Sequence, residues 1–504
     1  MNVRFLLQPP HRALAVFALA VATTLLFLGT RGLWDPDEGR FSNVALQILR
    51  SGDWISLYRH HETLHFTKPP VTYWAIAASV SALGWNEWAV RLPGALAHLG
   101  IVALLLRIGR HFAPRRPWLP ALVYATFPLT MLASGIATTD TPLAFATTLA
   151  FACYVIARFE SRPAWMLGMW AGFALAFMTK GPPGLIGLAA VLVLHAFGRR
   201  DAGLPSLRLG WGLPLFVVLG FSWYLVVVVK HPGLLEYFVH HEVVARVASD
   251  VHGRYPEWWG GLYVYGLTLG LGALPWWPWA LAAWRRGGGT FRDAAPTTRL
   301  LLAWLGVGLL VFMLARSRLP LYVLPLFAPL ALLIGRALEA APLGRARWAA
   351  VAAVLALVIG VKVLLAYLPQ VAEALPARTA ERLPLHKNAR EWAERLDAVV
   401  PYRIEEVVFV NDMARYGLNL YLHAEIEKTD VDGDLASKPI SDAPFDDVLG
   451  HELREKQPPG RVFVMRPAMA ARFEAEARDA GVMPTRLGAV RDRVVYTLAP
   501  QGTP

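Results

Sequence analysis

The 504-residue chain has a single cysteine, Cys153. One thiol excludes an intrachain disulfide and any cysteine-based zinc cluster. Charge is scarce as well: 17% of residues are Asp, Glu, Lys or Arg, against 55% apolar, and the mean hydropathy is +0.40. That balance excludes an ordinary soluble domain and points to a membrane protein. Acids are the rarer sign, 37 against 49 Lys and Arg, and a pI near 9.9 raises nucleic acid as a partner. The distribution argues against it. Before Tyr367 there are 31 basic and 15 acidic residues, and from there on 18 and 22. The excess thus lies in the apolar part, as when arginines collect in cytoplasmic loops. No internal repeat, low-complexity tract or HExxH zinc motif is found. No A-x-A-like cleavage site follows the first apolar run, residues 13–30, which reads as a retained signal anchor.

What the chain does have is long apolar runs. A hydrocarbon core of about 30 Å takes about 20 apolar residues per helix. Eleven runs qualify, at 13–30, 93–109, 118–136, 142–157, 164–179, 183–198, 211–229, 261–283, 300–315, 321–338 and 348–366. Arginines fall in every second loop: Arg107 to Arg116, Arg158 and Arg162, Arg199 to Arg208, Arg285 to Arg299, and Arg336 to Arg347. Those loops are expected on the cytoplasmic side, with the N-terminus. Counting residues 70–84 as a span would reverse that pattern, so they are expected to form a re-entrant or interfacial helix. Before them, Phe41, Val44, Ala45, Ile48 and Leu49 recur at helical spacing, the stripe of a helix lying in the membrane surface. The expected organisation is a transmembrane domain over 1–366 with a long first periplasmic loop, 31–92, and a soluble periplasmic α/β domain over 367–504. In that second part, 386–398 and 467–480 read as amphipathic helices, and 406–411, 461–465 and 493–498 as buried strands.

Polar residues that positive-inside loops do not explain gather on the outer side. They are Asp35, Asp37 and Glu38 in DPDE, Lys68 in HFTKPP, Asp140 in TTDTP, Lys180 in TKGPP, the segment from Lys230 to Arg254, and Arg316, Arg318 and Tyr322 in ARSRLPLY. Ionisable groups at membrane depth are costly and usually functional. Each also has a plainer role. In DPDE, Asp35 as N-cap, Pro36 at N1 and Glu38 at N3 form a capping box, which leaves Asp37 as the acid without a structural task. Asp140 fits the cap of the next span as well as a catalytic role. Lys68 and Lys180 suit snorkelling anchors, or ammonium groups aimed at an anion by the prolines that follow. Lys362 reads as a snorkel. His240, His241, Glu242, Arg246, His252 and Arg254 offer phosphate-binding cations and ligands for a divalent metal. Cations beside carboxylates at an outer interface suit a lipid phosphate at whose head a group is transferred. The cations stabilise the departing phosphate, and a carboxylate orients or deprotonates the acceptor.

LWDPDEGRFSNVALQILRSGDWI, HFTKPPVTYW, NEWAVRLPG, IATTDTPLAF, FMTKGPPG, the H-E-x-x-x-R pattern from His241 to Arg246, and SRLPLYVLPLFAPLALLIG follow one another in order over most of the first 340 residues. Together they resemble the GT-C membrane glycosyltransferases of the protein mannosyltransferase and lipid A aminoarabinose transferase group. The resemblance implies a polytopic α-helical membrane protein with about 11 to 13 transmembrane helices and a small C-terminal periplasmic α/β domain. It implies an inverting transfer of a sugar from undecaprenyl phosphate to an envelope acceptor such as lipid A, at the bacterial inner membrane. Asp37 and Asp140 would be the catalytic carboxylates. Lys68, Arg246, Arg318 and Tyr322 would hold the donor phosphate, with Glu38, Lys180 and Arg254 in support. In the aminoarabinose enzymes an acid before the loop lysine helps bind a metal; here Thr67 stands there, leaving His241 as the candidate ligand and no certain cofactor. The alternatives are an enzyme like the protein O-mannosyltransferases, a polysaccharide polymerase or ligase, or a lipid or sugar transporter. Alternating access normally carries midplane charges and internal repeats, which the sequence lacks.

Overall fold

The structure, a computed structural model, describes residues 10–197, 204–240, 255–257, 259–286, 295–376, 383–433, 445–455 and 457–500. The chain divides into two compact units. One comprises Met1–Leu28 and Arg91–Leu364; the other joins Gly29–Val90 to Leu365–Pro504.

The first unit is helical. Each apolar run found in the sequence contains a helix, and among the described residues six helices are long and apolar enough to cross a membrane: Glu87–His111, Asp140–Phe159, Leu209–Lys230, Pro296–Leu314, Pro320–Leu338 and Arg345–Ala366. Shorter apolar helices include His11–Leu25 and Pro182–Phe197. Their outer surface suits lipid: along Leu209–Lys230, Val218, Leu225 and Val229 are 64%, 63% and 84% exposed, an apolar face that water would not tolerate. Proline interrupts two of the runs. Residues 118–136 form Leu119–Ala125 and Pro128–Ala133, and residues 261–283 form Gly260–Gly272 and Trp276–Arg286 either side of Pro275, because proline lacks the N–H that continues a helix. The helix Asp140–Phe159 packs on Trp165–Lys180 through Gly172, where an added Cβ would lie 2.8 Å from the Ala150 Cα. Beyond Phe159, Glu160 accepts hydrogen bonds from Arg107, Arg110 and His111. These partners hold its carboxyl well below the usual range,.

Lys362 differs from the sequence reading. It is 9% exposed, and its ammonium donates to the Thr23 carbonyl at 2.6 Å. A neighbouring helix meets the charge, so the side chain has no need to snorkel.

The second unit centres on a six-stranded sheet of β3 (Glu406–Val410), β4 (Glu425–Asp430), β5 (Asp447–Val448), β6 (Arg461–Met465), β7 (Val482–Val490) and β8 (Arg493–Pro500), in the order β5-β4-β3-β6-β8-β7. The first four strands in that order are parallel, and the last two pairings are antiparallel. All five residues of β3 are buried, as a parallel strand covered on both faces requires. Val407 and Phe409 pack with Trp392 and Leu396 of the helix Ala389–Val399, while Val408 and Val410 pack with Phe473 of Pro467–Asp479. Segment 29–90 adds the hairpin β1 (Tyr58–His60) and β2 (Thr63–Leu64) and the helices Asp37–Ser51 and Val71–Leu83. The stripe on Asp37–Ser51 is not a membrane-facing one. Phe41, Val44, Ala45 and Ile48 are at most 5% exposed, and Phe41 meets Tyr73 of Val71–Leu83 with ring centroids 5.7 Å apart. The period signalled burial correctly, but protein rather than lipid covers the face.

A polar seam joins this segment to the sheet. Arg59 donates to Asp446 at 2.7 and 2.9 Å, His60 faces Glu406 at 3.3 Å, and Asn419 donates to Asn43 at 2.7 Å. Arg390 and Tyr421 both reach Glu87.

Candidate active site

DPDE opens the helix Asp37–Ser51, but its acids divide differently from a capping box. Pro36 stands at the N-cap without a side-chain bond. Asp35 is 2% exposed, and its Oδ1 accepts from the Gly417 N–H at 3.1 Å, while Oδ2 has no partner among the described residues. Burial pushes the Asp35 carboxyl up to about 7, opposed by the Gly417 hydrogen bond and Arg415,. Glu38 keeps the capping role expected of it, accepting from the Trp34 N–H at 3.0 Å and from Arg31 at 2.8 Å. Asp35 is drawn off the helix end because residues 33–35 pair along their backbone with 387–389. Asp37 is the open acid: its side chain is 65% exposed, with Arg40 at 3.4 Å.

Lys68 is half-buried, and its ammonium donates to the Thr67 carbonyl at 2.5 Å. Thr67 is buried, its hydroxyl 2.8 Å from His65 Nε2. Burial, with Arg59 and Arg40, holds the His65 imidazole neutral, well below its usual value. A neutral hydroxyl already bonded to a neutral ring does not fit the anionic metal ligand expected beside this lysine. Close to DPDE, a cavity is lined by Arg40, Arg59, His65, Tyr416 and Lys428.

In the helical unit, Asp140 begins the helix Asp140–Phe159 and Lys180 ends the helix Trp165–Lys180. Packing these helices antiparallel brings the two groups together: Lys180 Nζ donates to Asp140 Oδ1, and the ammonium lies 4.4 Å from the Tyr322 ring centroid,. Both side chains are 9% exposed. Tyr322 belongs to the 3-10 segment Pro320–Leu326. Just before it, Arg318 is 3% exposed and donates to the carbonyls of Tyr255, Glu257 and Met313 at 2.5, 2.8 and 3.1 Å. Its Nε has no partner among the described residues. Arg246, Arg254 and His241 lie outside the described residues.

Sequence reasoning missed Tyr265. It lies on the helix Gly260–Gly272, is 1% exposed, has a hydroxyl without a partner among the described residues, and has Tyr322, Arg318 and Asp140 among its charged or polar neighbours. A tyrosine inside an apolar run carries no signal of its own.

Residues 67–225 match the family model described as dolichyl-phosphate-mannose-protein mannosyltransferase. Over 335 residues the chain is 32% identical to the undecaprenyl phosphate-alpha-4-amino-4-deoxy-L-arabinose arabinosyl transferase 2 of Pseudomonas fluorescens (strain Pf0-1), a match covering 64% of this chain and 58% of that protein. The crystal structure of ArnT from Cupriavidus metallidurans bound to undecaprenyl phosphate superposes with a TM-score of 0.74 at 22% identity, covering 97% and 98% of the two chains. The chain has the GT-C fold of a membrane protein and is similar to the protein mannosyltransferase and aminoarabinose transferase group. Within GT-C the fold likeness extends to the oligosaccharyltransferase of Archaeoglobus fulgidus, with a TM-score of 0.53, 12% identity, and 98% and 75% coverage. The chain spans about three fifths of the length of the curated relatives it matches.

Proposed function

We propose that this GT-C protein is an inverting glycosyltransferase that moves a sugar from an undecaprenyl-phosphate donor to an envelope acceptor such as lipid A. The work is done on the periplasmic face of the bacterial inner membrane. In this reading eleven spans place the N-terminus in the cytoplasm and residues 367–504 in the periplasm, where they act with residues 31–92. Support comes from the ordered motifs and from relatives named as arabinosyl transferases on undecaprenyl phosphate.

The observation that carries the reading is the division of labour within DPDE. Asp35 and Glu38 are engaged in holding the chain, while Asp37 stays open to a substrate. Asp37 orients the acceptor oxygen and, for a hydroxyl acceptor, takes its proton. The oxygen attacks the anomeric carbon opposite the phosphate; the new C–O bond forms as the bond to phosphate breaks, and the lipid phosphate leaves with the electron pair. Lys68, Arg246, Arg318 and Tyr322 hold that phosphate, with Arg254 in support. Lys180 fixes Asp140, a second carboxylate near the reaction. A phosphate acceptor is already anionic and needs no strong base, whereas a serine or threonine hydroxyl does.

The test uses membranes holding the full chain, a polyprenyl-phosphate sugar, and either lipid A or a serine/threonine peptide as acceptor. Transfer to lipid A by the wild type, lost in Asp37→Asn and Lys68→Ala at equal protein level, is expected. Transfer to the peptide alone would move the enzyme to the protein-modifying branch. Full activity of Asp37→Asn would overturn the assigned role.

A further inference from the structure

Where segment 29–90 meets the C-terminal sheet, the unit buries an unusual amount of charge. Glu406, Glu427, Glu452, Asp446 and Asp447 are each at most 6% exposed, as are Arg59 and His60. Most of the acids have cations. Arg59 pairs with Asp446, Arg461 with Glu406 and Glu452, and His451 with Asp447. Among the described residues, Glu427 alone of these five acids makes no ion pair, and Arg461 acts on it only from farther off. Glu427 is 3% exposed, and the Glu452 carboxyl stands near it as a like charge. A buried carboxylate beside like charge is costly.

Three side chains converge at this acid. One ligand atom each from His60, Glu406 and Glu427 lies within 4.8 Å of the other two. The strand register accounts for the placement: Glu406 pairs with Glu425 and Val408 with Glu427, so both acids stand on one face of the β3–β4 pair,. His60 enters from β1. Its Nε2 stands 3.3 Å from Glu406 Oε1, a long approach for a charged hydrogen bond. It matches the edge of about 3.3–3.4 Å between two ligands of a tetrahedral ion with bonds of about 2.0–2.1 Å. Arg461 Nε holds the other Glu406 oxygen at 2.5 Å, leaving Oε1 turned toward the histidine, as an outer partner of a metal ligand does.

We propose that His60, Glu406 and Glu427 form a divalent transition-metal site, with zinc the ion their imidazole and carboxylates suit, which fastens strand β1 to the head of the β3–β4 pair. The site is separate from the sugar-transfer residues and independent of their assignment. An imidazole with two carboxylates favours zinc over calcium, which takes oxygen ligands. Binding supplies a positive charge next to Glu427, which makes no ion pair of its own.

The test uses the full chain purified in detergent, stripped with EDTA and titrated with zinc chloride. Readouts are metal content by elemental mass spectrometry and thermal unfolding of the stripped and loaded protein. The wild type is expected to take up one zinc with a rise in melting temperature that calcium does not reproduce. His60→Ala abolishes both effects, and Glu427→Gln, which keeps the side-chain shape if His60→Ala fails to fold, weakens zinc binding about tenfold or more. The proposal is overturned if the wild type binds no zinc, if Glu427→Gln binds it as the wild type does, or if uptake survives His60→Ala and is lost in His241→Ala.

Discussion

Asp35 and Asp37 are two positions apart and have opposite fates, and the difference yields separable predictions. Asp37 is exposed and, among the described residues, held only by Arg40 at 3.4 Å, so Asp37→Asn should leave the melting temperature within about 1 °C, since exposed substitutions cost about 0.5 kcal/mol or less. Transfer should fall at least about a hundredfold if Asp37 is the acceptor's base; a radiolabelled-sugar assay beside a thermal scan reads both. Asp35 is the reverse case. Its native carboxyl titrates near 7 against an ordinary 3.8, so the folded state holds a proton that the unfolded chain has already released. Stability therefore falls as pH rises from about 4 to about 7, by an amount of order 4 kcal/mol. Asp35→Asn should flatten that part of the pH–stability curve and make the protein more stable at pH 8, as thermal scans at pH 5 and pH 8 would show. An unchanged slope would mean that the group titrates normally.

At the scale of elements, periodicity was a good guide. The stripe from Phe41 to Leu49 and the apolar runs all gave helices because spacing and hydropathy are local properties,. What covers each face is set by distant chain, so the stripe on Asp37–Ser51 was legible as buried but not as packed on Tyr73. The same holds within the candidate site. The residue types of Asp140 and Lys180 were visible, but their ion pair depends on packing the start of one helix against the end of the next, 40 residues along the chain. Lys362 was misread because its partner, the Thr23 carbonyl, is on a helix 339 residues away. Two predictions follow from the packing of Asp140–Phe159 on Trp165–Lys180. Gly172→Leu should destabilise by about 1–3 kcal/mol or more, because a side chain there meets backbone rather than a movable tip,. Lys180→Met alone should cost about 3–5 kcal/mol by leaving Asp140 buried without its cation, and adding Asp140→Asn should recover much of it,. Thermal unfolding of the two single variants and the double variant measures that coupling, and additive losses would count against a coupled pair.

For the molecule as a whole, composition marked a change of character near Tyr367, yet no local signal showed that residues 29–90 share a unit with everything beyond 365. The link consists of pairs such as Arg59 with Asp446, 387 residues apart. A chain ending at residue 364 should retain its membrane helices but expose segment 29–90 to protease, because Arg59, His60 and Glu87 lose Asp446, Glu406 and Arg390. Limited proteolysis of the truncated and full-length proteins in membranes would show cuts near residues 58–65 only in the former. Arg59→Ala in the full chain should mimic this more weakly, since it strands a buried Asp446.

A unit assembled from both ends of a polypeptide also sets a timetable. Some 275 residues are translated between Val90 and Leu365, which at about 5–20 residues per second takes roughly 15–55 s. Throughout that interval the early segment has its apolar stripe and buried-to-be acids but no sheet to receive them. The newborn protein must therefore be shielded by a chaperone or the bilayer until its last quarter emerges, and slowing synthesis late in the message should lower the yield of folded protein without altering a single amino acid.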